Sequence, residues 1–221
     1  MIDWEAIGIT TRLSASTSLL LLAIGIPTAY WLAATRWRGR VLVEAVVALP
    51  LVLPPTVLGF YVLVLLGPKA IFGRWFEAIV GNPLPFSFTG LVIASVLYSL
   101  PFAVQPFAAA FRSLDPTLTE AAAMMGASRW QTLWHVLVPN ALPGILAGMV
   151  LSFAHTLGEF GVVLMVGGNI AGRTRTISIS IYDQVQSMDY NSAAANALLL
   201  LAISFLMLSI TYLLQRSFRV Y

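Results

Sequence analysis

Cysteine is absent from the 221 residues. No disulfide framework, iron–sulfur cluster or thiolate metal site can be built from such a chain. Lysine occurs once, at Lys69, and Ala70 follows it. A P-loop needs Gly-x4-Gly-Lys-Ser/Thr to cradle phosphates, so the chain offers no such ATP site and reads as no enzyme in itself. The two histidines, His135 and His155, would stand about 30 Å apart on a continuous helix, too far to sandwich one haem. Charge of either sign is scarce. Asp, Glu, Lys and Arg make up 10% of the chain, against about 25% in soluble domains. A soluble fold of this size could not cover its surface with so few. The 12 basic residues, giving a net charge of +3, are scattered between apolar stretches and form no nucleic-acid patch.

Hydrocarbon is abundant. Apolar types make up 59% of the residues, and the mean hydropathy is +0.87. A bilayer crossing needs about 20 apolar residues. Long stretches almost free of charge predict five spans, at about 13–35, 45–66, 89–111, 139–166 and 192–214. Residues 1–221 thus read as one all-α transmembrane domain without an internal repeat. An odd number of spans leaves no simple inverted duplication. That speaks against an independent secondary transporter, though a dimeric channel survives a count of spans. The acidic start, Met1-Ile-Asp-Trp-Glu5, lacks the basic flank of a signal peptide, so no cleavage is expected.

Basic residues set the expected orientation. Arg36, Arg38 and Arg40 share one short loop; Arg112, Arg129, Arg216 and Arg219 fall on the same side of a five-span chain. Lys69, Arg74, Arg173, Arg175 and, at its edge, Arg12 fall on the other. The tight arginine cluster places the N-terminus in the periplasm and the C-terminus in the cytoplasm. Trp31, Trp37, Trp75 and Trp134 sit near expected interfaces, where belt anchoring accounts for them.

The loop 113–138 is the most informative segment. Asp115 is a suitable N-cap and Pro116 suits a first helical position, so Thr117 to Met125 reads as a short helix. Gly126 fits a left-handed C′ residue. Ser128 can cap a second helix carrying Leu133, Val136 and Leu137 on one face, and Pro139 would open span four. Glu120-Ala121-Ala122, Gly126, Val136 and Val138-Pro139 stand at the spacing E-A-A-x3-G-x9-I-x-L-P. This resembles the motif of ABC importer permeases, with Val in place of Ile and Leu.

The resemblance extends along the chain. Leu49-Pro-Leu-Val-Leu-Pro-Pro55, Thr156-Leu-Gly-Glu-Phe-Gly161 and the segment Gly168–Ile177 followed by Tyr182 are similar to segments of molybdate permeases, whose close relatives carry sulfate or tungstate. The last segment departs in having no acidic residue near Arg173. The resemblance implies a type I importer (MetI-like) fold of five transmembrane helices with a cytoplasmic coupling helix. It implies a homodimer, two partner ATPase subunits that hold the ATP and magnesium, and a periplasmic molybdate-binding protein. Asp115, Glu120, Ala121, Ala122 and Gly126 would couple to the ATPase.

Further candidates come from residues that sit awkwardly in a membrane. Glu159 is the one carboxylate deep in an expected span, where a charge costs about 2.5–3.5 kcal/mol. Gly144, Gly148, Ser152, His155 and Glu159 recur at three- and four-residue intervals and would form one stripe. Such a stripe suits the dimer axis and the translocation path, and equally suits plain helix packing through small residues. A carboxylate repels molybdate, so hydrogen bonding, gating or a dimer contact suits Glu159 better than ligation. Pro50, Pro54 and Pro55 predict a bend in span two, beside the path or simply structural; Pro101 and Pro106, flanking Gln105, suggest another in span three. Arg173 and Arg175 suit contact with the binding protein or a plain solvated loop.

Overall fold

The computed structural model describes residues 1–218, with side chains described as far as residue 213. Arg219 therefore lies outside the described residues, and the Arg216 side chain is not described. Among the described residues the fold is entirely helical. Helix α1 spans Trp4–Ala34, α2 Arg40–Val52, α3 Pro55–Leu66, α4 Ile71–Val80 and α5 Phe88–Arg112. Helix α6 spans Thr117–Met124, α7 Arg129–Thr132, α8 Val138–Leu157, α9 Gly161–Gly167, α10 Ile177–Gln186 and α11 Tyr190–Phe218. Four helical stretches are long and apolar enough to cross a membrane, and α2 with α3 makes a fifth, broken one.

Helix α1 starts nine residues before the expected span because Asp3 caps it: its carboxylate accepts from the Ala6 amide at 2.9 Å. At 31 residues it is about 47 Å long, longer than the hydrocarbon core. Its other end is held by the Arg112 guanidinium, which donates to the Leu32 carbonyl. Cations satisfy the orphan carbonyls of a last helical turn in this way.

Span two does not merely bend. The axes of α2 and α3 turn by 115°. A proline disfavours the helical region for the residue before it, and here two prolines are adjacent. Leu53 takes φ −71°, ψ 135° and Pro54 takes φ −54°, ψ 136°, so both leave the helix before Pro55 restarts it. Pro50 sits inside α2 without breaking it, whereas Pro101 and Pro106 lie within an unbroken α5.

Span four also differs from expectation. Pro139 opens nothing: one 29-residue helical stretch runs from Arg129 to Leu157. Proline has no N–H to give to the His135 carbonyl. The register is relieved by a π-helical turn over Leu133–Leu137, in which the Val138 amide donates to the Leu133 carbonyl. The span then stops at Leu157, not 166, and α9 follows after a three-residue break at Gly158–Phe160. Glu159 therefore sits in the break and not on the stripe of α8. The short helices α4 and α10 were not expected; α4 ends on left-handed Gly81, φ 76°.

The core lies where α1, α5 and α8 meet, around Leu21, Ile26, Val104, Phe107 and Ile145. A Cβ on Gly148 would stand 2.6 Å from the Phe107 ring, and one on Gly144 2.4 Å from Ala110 Cβ. Both glycines therefore serve the seam between α8 and α5 of the same chain. The packing alternative accounts for this part of the stripe.

Long-range bonds define two faces. On one, the Met1 amino group donates to Ser192 Oγ, the Asp3 amide to Asn196 Oδ1 and the Ile177 amide to Thr10 Oγ1. The Phe86 amide donates to Val166 O on the same face. The loop 35–39, the end of α5 and helices α6 and α7 lie on the other. Five crossings result, with α1 beginning on the face opposite to the end of α11.

Gly148→Leu is expected to lower stability by about 1–3 kcal/mol through overpacking against Phe107. Gly8→Leu, whose Cβ meets nothing within 4 Å, is expected to leave it unchanged. Thermal denaturation of the detergent-solubilised protein, followed by size-exclusion chromatography, checks the pair.

Candidate functional site

The loop that joins α5 to α8 is built as a rigid unit. Asp115 Oδ1 accepts from the Thr117 amide at 2.9 Å, so Asp115 supplies the capping bond while Pro116 holds the cap position, one residue later than expected. Hydrogen bonding from the Thr117 amide, then from its hydroxyl, holds the Asp115 carboxyl below its usual value of 3.8. A depressed carboxylate stabilises at every pH above its unfolded value, and the contribution is lost only as pH falls through the lowered one. At the other end Gly126 takes φ +79°. The Ala127 amide donates to Ala122 O and the Gly126 amide to Ala123 O, which is a Schellman closure. Ser128 then makes a full capping box: its hydroxyl accepts from Gln131 N while its amide donates to Gln131 Oε1. Leu133 and Leu137 anchor the next turn in the core.

The anchored unit presents Glu120, Ala121, Gly126, Met124, Met125 and Trp130 outward. Met124 is 84% exposed and Met125 80% exposed, so the loop carries apolar surface on its outer side. Ala122 is the exception among the expected coupling residues. It is buried against its own chain, so its small size serves the seating of α6 and not the approach of another protein.

The second candidate region lies at the break in span four. Ser99 of α5 bonds His155 Nδ1 at 2.9 Å and Thr156 Oγ1 at 2.9 Å, and Thr156 Oγ1 donates to Ser152 O. Phe102 stacks on the His155 ring at 3.9 Å and Tyr98 approaches it at 4.7 Å. His155 is thus held by hydrogen bonding and stacking across the α5–α8 seam. Ser152 is wholly buried and donates to Met149 O. Glu159 is 4% exposed, and neither of its oxygens has a hydrogen-bond partner among the described residues; the same holds for buried Ser95 Oγ beside it. The break is locked from outside by α3: a Cβ on Gly161 would lie 2.7 Å from Pro55 Cβ, and one on Gly59 2.8 Å from Met165 Cβ. The two interrupted spans therefore meet at their interruptions, Pro54-Pro55 against Gly158–Gly161. The structure brings Pro55 and Glu159 into one region. Pro50 is buried in α2, away from the break.

The third region is the loop 168–176. Thr174 Oγ1 donates to Gly167 O and accepts from the Ile170 amide, which folds the loop on itself. Arg175 is not free: its Nε donates to Asn169 Oδ1 at 2.6 Å and its Nη2 lies 3.5 Å from Asp183 Oδ2. Asn169 donates to the same carboxylate. The carboxylate that pairs with Arg175 thus comes from α10. Arg173 is exposed. Sequence reading missed three residues of note: Asp183, Ser99 and the Glu44 partner of Arg112. Each is joined to its partner by folding alone, and no local spacing signals the pairing.

Comparisons with known proteins agree with this architecture. The protein-family profile described as "Binding-protein-dependent transport system inner membrane component" matches residues 25–220. The chain is 49% identical over 214 residues to the molybdenum transport system permease protein ModB of Azotobacter vinelandii, covering 97% of this chain and 95% of the relative. It is 36% identical to the protein of that name from Escherichia coli K12, covering 94% and 90%. It is 35% identical to the sulfate transport system permease protein CysT of Escherichia coli K12, covering 94% and 75%. Among solved structures, a bacterial ABC transporter that imports the acidic polysaccharide alginate superposes with a TM-score of 0.75 at 22% identity, covering 96% of this chain and 78% of that one. The MetNI methionine ABC transporter in an inward-facing form superposes with a TM-score of 0.72 at 18% identity, covering 96% and 94%. At these identities the superpositions speak for the fold, which is that of type I importer permeases. With the profile matched from residue 25 to residue 220, over a chain whose broken spans and capped loop have just been described, this chain belongs to the family of inner membrane components of binding-protein-dependent transport systems.

Proposed function

We propose that this chain is the transmembrane subunit of an ATP-driven importer that carries molybdate across the cytoplasmic membrane. The observation that carries the reading is the 49% identity, over nearly the whole of both chains, to a molybdenum transport permease. The doubly capped loop between α5 and α8 supports it from the side of mechanism. Two copies of the chain form the path, two ATPase subunits hold ATP and magnesium, and a periplasmic binding protein delivers the oxyanion. The N-terminus faces the periplasm and α6 faces the cytoplasm. Asp115, Glu120, Ala121 and Gly126 are the handle that the ATPase grips by laying α6 in a groove. The Ser128 capping box passes displacement into α8 without an intervening hinge, because the helix is continuous to Leu157. Alternating access then follows as rigid-body rocking of α5 with α8. Arg173 remains the exposed cation offered to the binding protein; Arg175 shapes the loop that presents it.

A second reading, sulfate import, has its own support in the 35% identity to a sulfate permease. Uptake of labelled molybdate in cells, competed by sulfate and by tungstate, separates them: molybdate import requires that a large excess of sulfate leave uptake intact.

Two substitutions test the mechanism. A Cβ at Gly126 meets nothing within 4 Å, yet φ there is +79°. Gly126→Val costs about 1–2 kcal/mol in the left-handed region and more for a branched side chain. It is expected to cut ATP-driven uptake at least about tenfold with membrane abundance unchanged, while Gly126→Asn retains most activity. Unimpaired uptake by the valine variant would sink the lever. At the break, Glu159→Gln is expected to keep uptake within about fivefold, the equivalent of one hydrogen bond, because the amide fills the same volume and keeps hydrogen-bonding capacity at that position. Loss of all uptake at normal abundance would show that the charge itself is required.

A further inference from the structure

The cleft between α2 and α5 contains features that neither the coupling loop nor the break explains. It encloses about 540 Å³, with Glu44, Ala45 and Ala48 on the α2 wall and Gln105 and Arg112 on the α5 wall. Small residues on α2 leave the space open. Within α5, Tyr98, Phe102, Gln105, Ala109 and Arg112 recur at four- and three-residue intervals, so they share one helix face. That face begins at the stacked His155 and ends at the arginine-bearing side of the membrane. Gln105 is exposed and is the one carboxamide in α5. Arg112 uses Nη2 for both Glu44 Oε1, at 2.5 Å, and Leu32 O, at 3.5 Å, which leaves Nε and Nη1 as donors. The pair is open in the single chain: the side chains are 46% and 35% exposed.

We propose that this cleft is a transient binding site for a tetrahedral oxyanion, with Arg112 and Gln105 as its donors and Glu44 as the resident counterion that the oxyanion displaces. The inference rests on the import of an oxyanion by this chain. A dianion leaving the apolar middle of the path needs donors, and a guanidinium presents them in a fork suited to two oxygens at once. Gln105 offers a neutral donor about 10 Å above it on the same face. A bare arginine would hold a dianion too long. Glu44 keeps the empty site neutral and re-forms its bond when the anion leaves, so affinity stays low, as conduction requires. Ion pairs that are not buried are weak, so an oxyanion can exchange with Glu44.

The test uses the complex purified with its ATPase, without binding protein, and measures equilibrium binding of labelled molybdate and, in parallel, labelled sulfate. Glu44→Gln frees Arg112 and is expected to tighten binding by about fivefold. Arg112→Gln and Gln105→Leu are expected to weaken it, Arg112→Gln by at least about tenfold. In proteoliposomes supplied with binding protein, Glu44→Gln is expected to slow uptake, since release is delayed. A purely structural brace predicts otherwise: Glu44→Gln and Arg112→Gln would lose thermal stability in parallel and leave both affinities at the wild-type value. That result, or binding of neither oxyanion by wild type and Glu44→Gln alike, overturns the site. Uptake of molybdate by the wild-type complex in the same proteoliposomes reports separately on the import reading. Sulfate binding governed by these three residues, with no molybdate bound, would overturn the choice of molybdate and keep the site.

Discussion

The seam between α5 and α8 is the constraint from which the rest of the molecule follows. In a bilayer there is no water-driven attraction between apolar helices, so close approach has to come from shape and from polar contacts across the contact line. Gly144 and Gly148 supply the shape, lying against Ala110 and Phe107. Farther along the same line, Ser99, His155 and Thr156 supply the polar contacts. The two helices are thereby fixed as one body.

The break itself answers to a second constraint. Backbone groups freed inside a membrane must be covered by protein or reached by water. This chain interrupts two spans and places the interruptions against each other. Pro54-Pro55 removes donors from one strand of backbone, and Gly161 removes the side chain that would hold the other away. Glu159 is confined at that junction with no partner among the described residues.

Charge is distributed sparingly, and each basic group with a known contact has a local task. Arg112 caps α1 through the Leu32 carbonyl and pairs with Glu44 of α2. Arg175 is tied to Asn169 and Asp183 and shapes a loop. Arg12 lies over the Phe88 ring at 5.4 Å. The positive charge read from sequence as a mark of orientation is thus also structural.

The sequence by itself determined the membrane setting, the caps at Asp115 and Ser128 and the left-handed turn at Gly126, because each depends on composition or on neighbours within four residues. The motif around Glu120 was legible for the same reason. The tertiary structure decided the rest. That span two is a 115° corner and span four stops at Leu157 depends on what the freed backbone meets, and the meeting partners lie about a hundred residues apart in the chain. The stripe of Gly144 and Gly148 could have faced a second copy or its own α5. Spacing along a helix fixes which residues share a face but not what that face touches. For Ala122 and Arg175 likewise, residue type suggested an outward role, and burial in one case and a carboxylate from α10 in the other assigned an inward one.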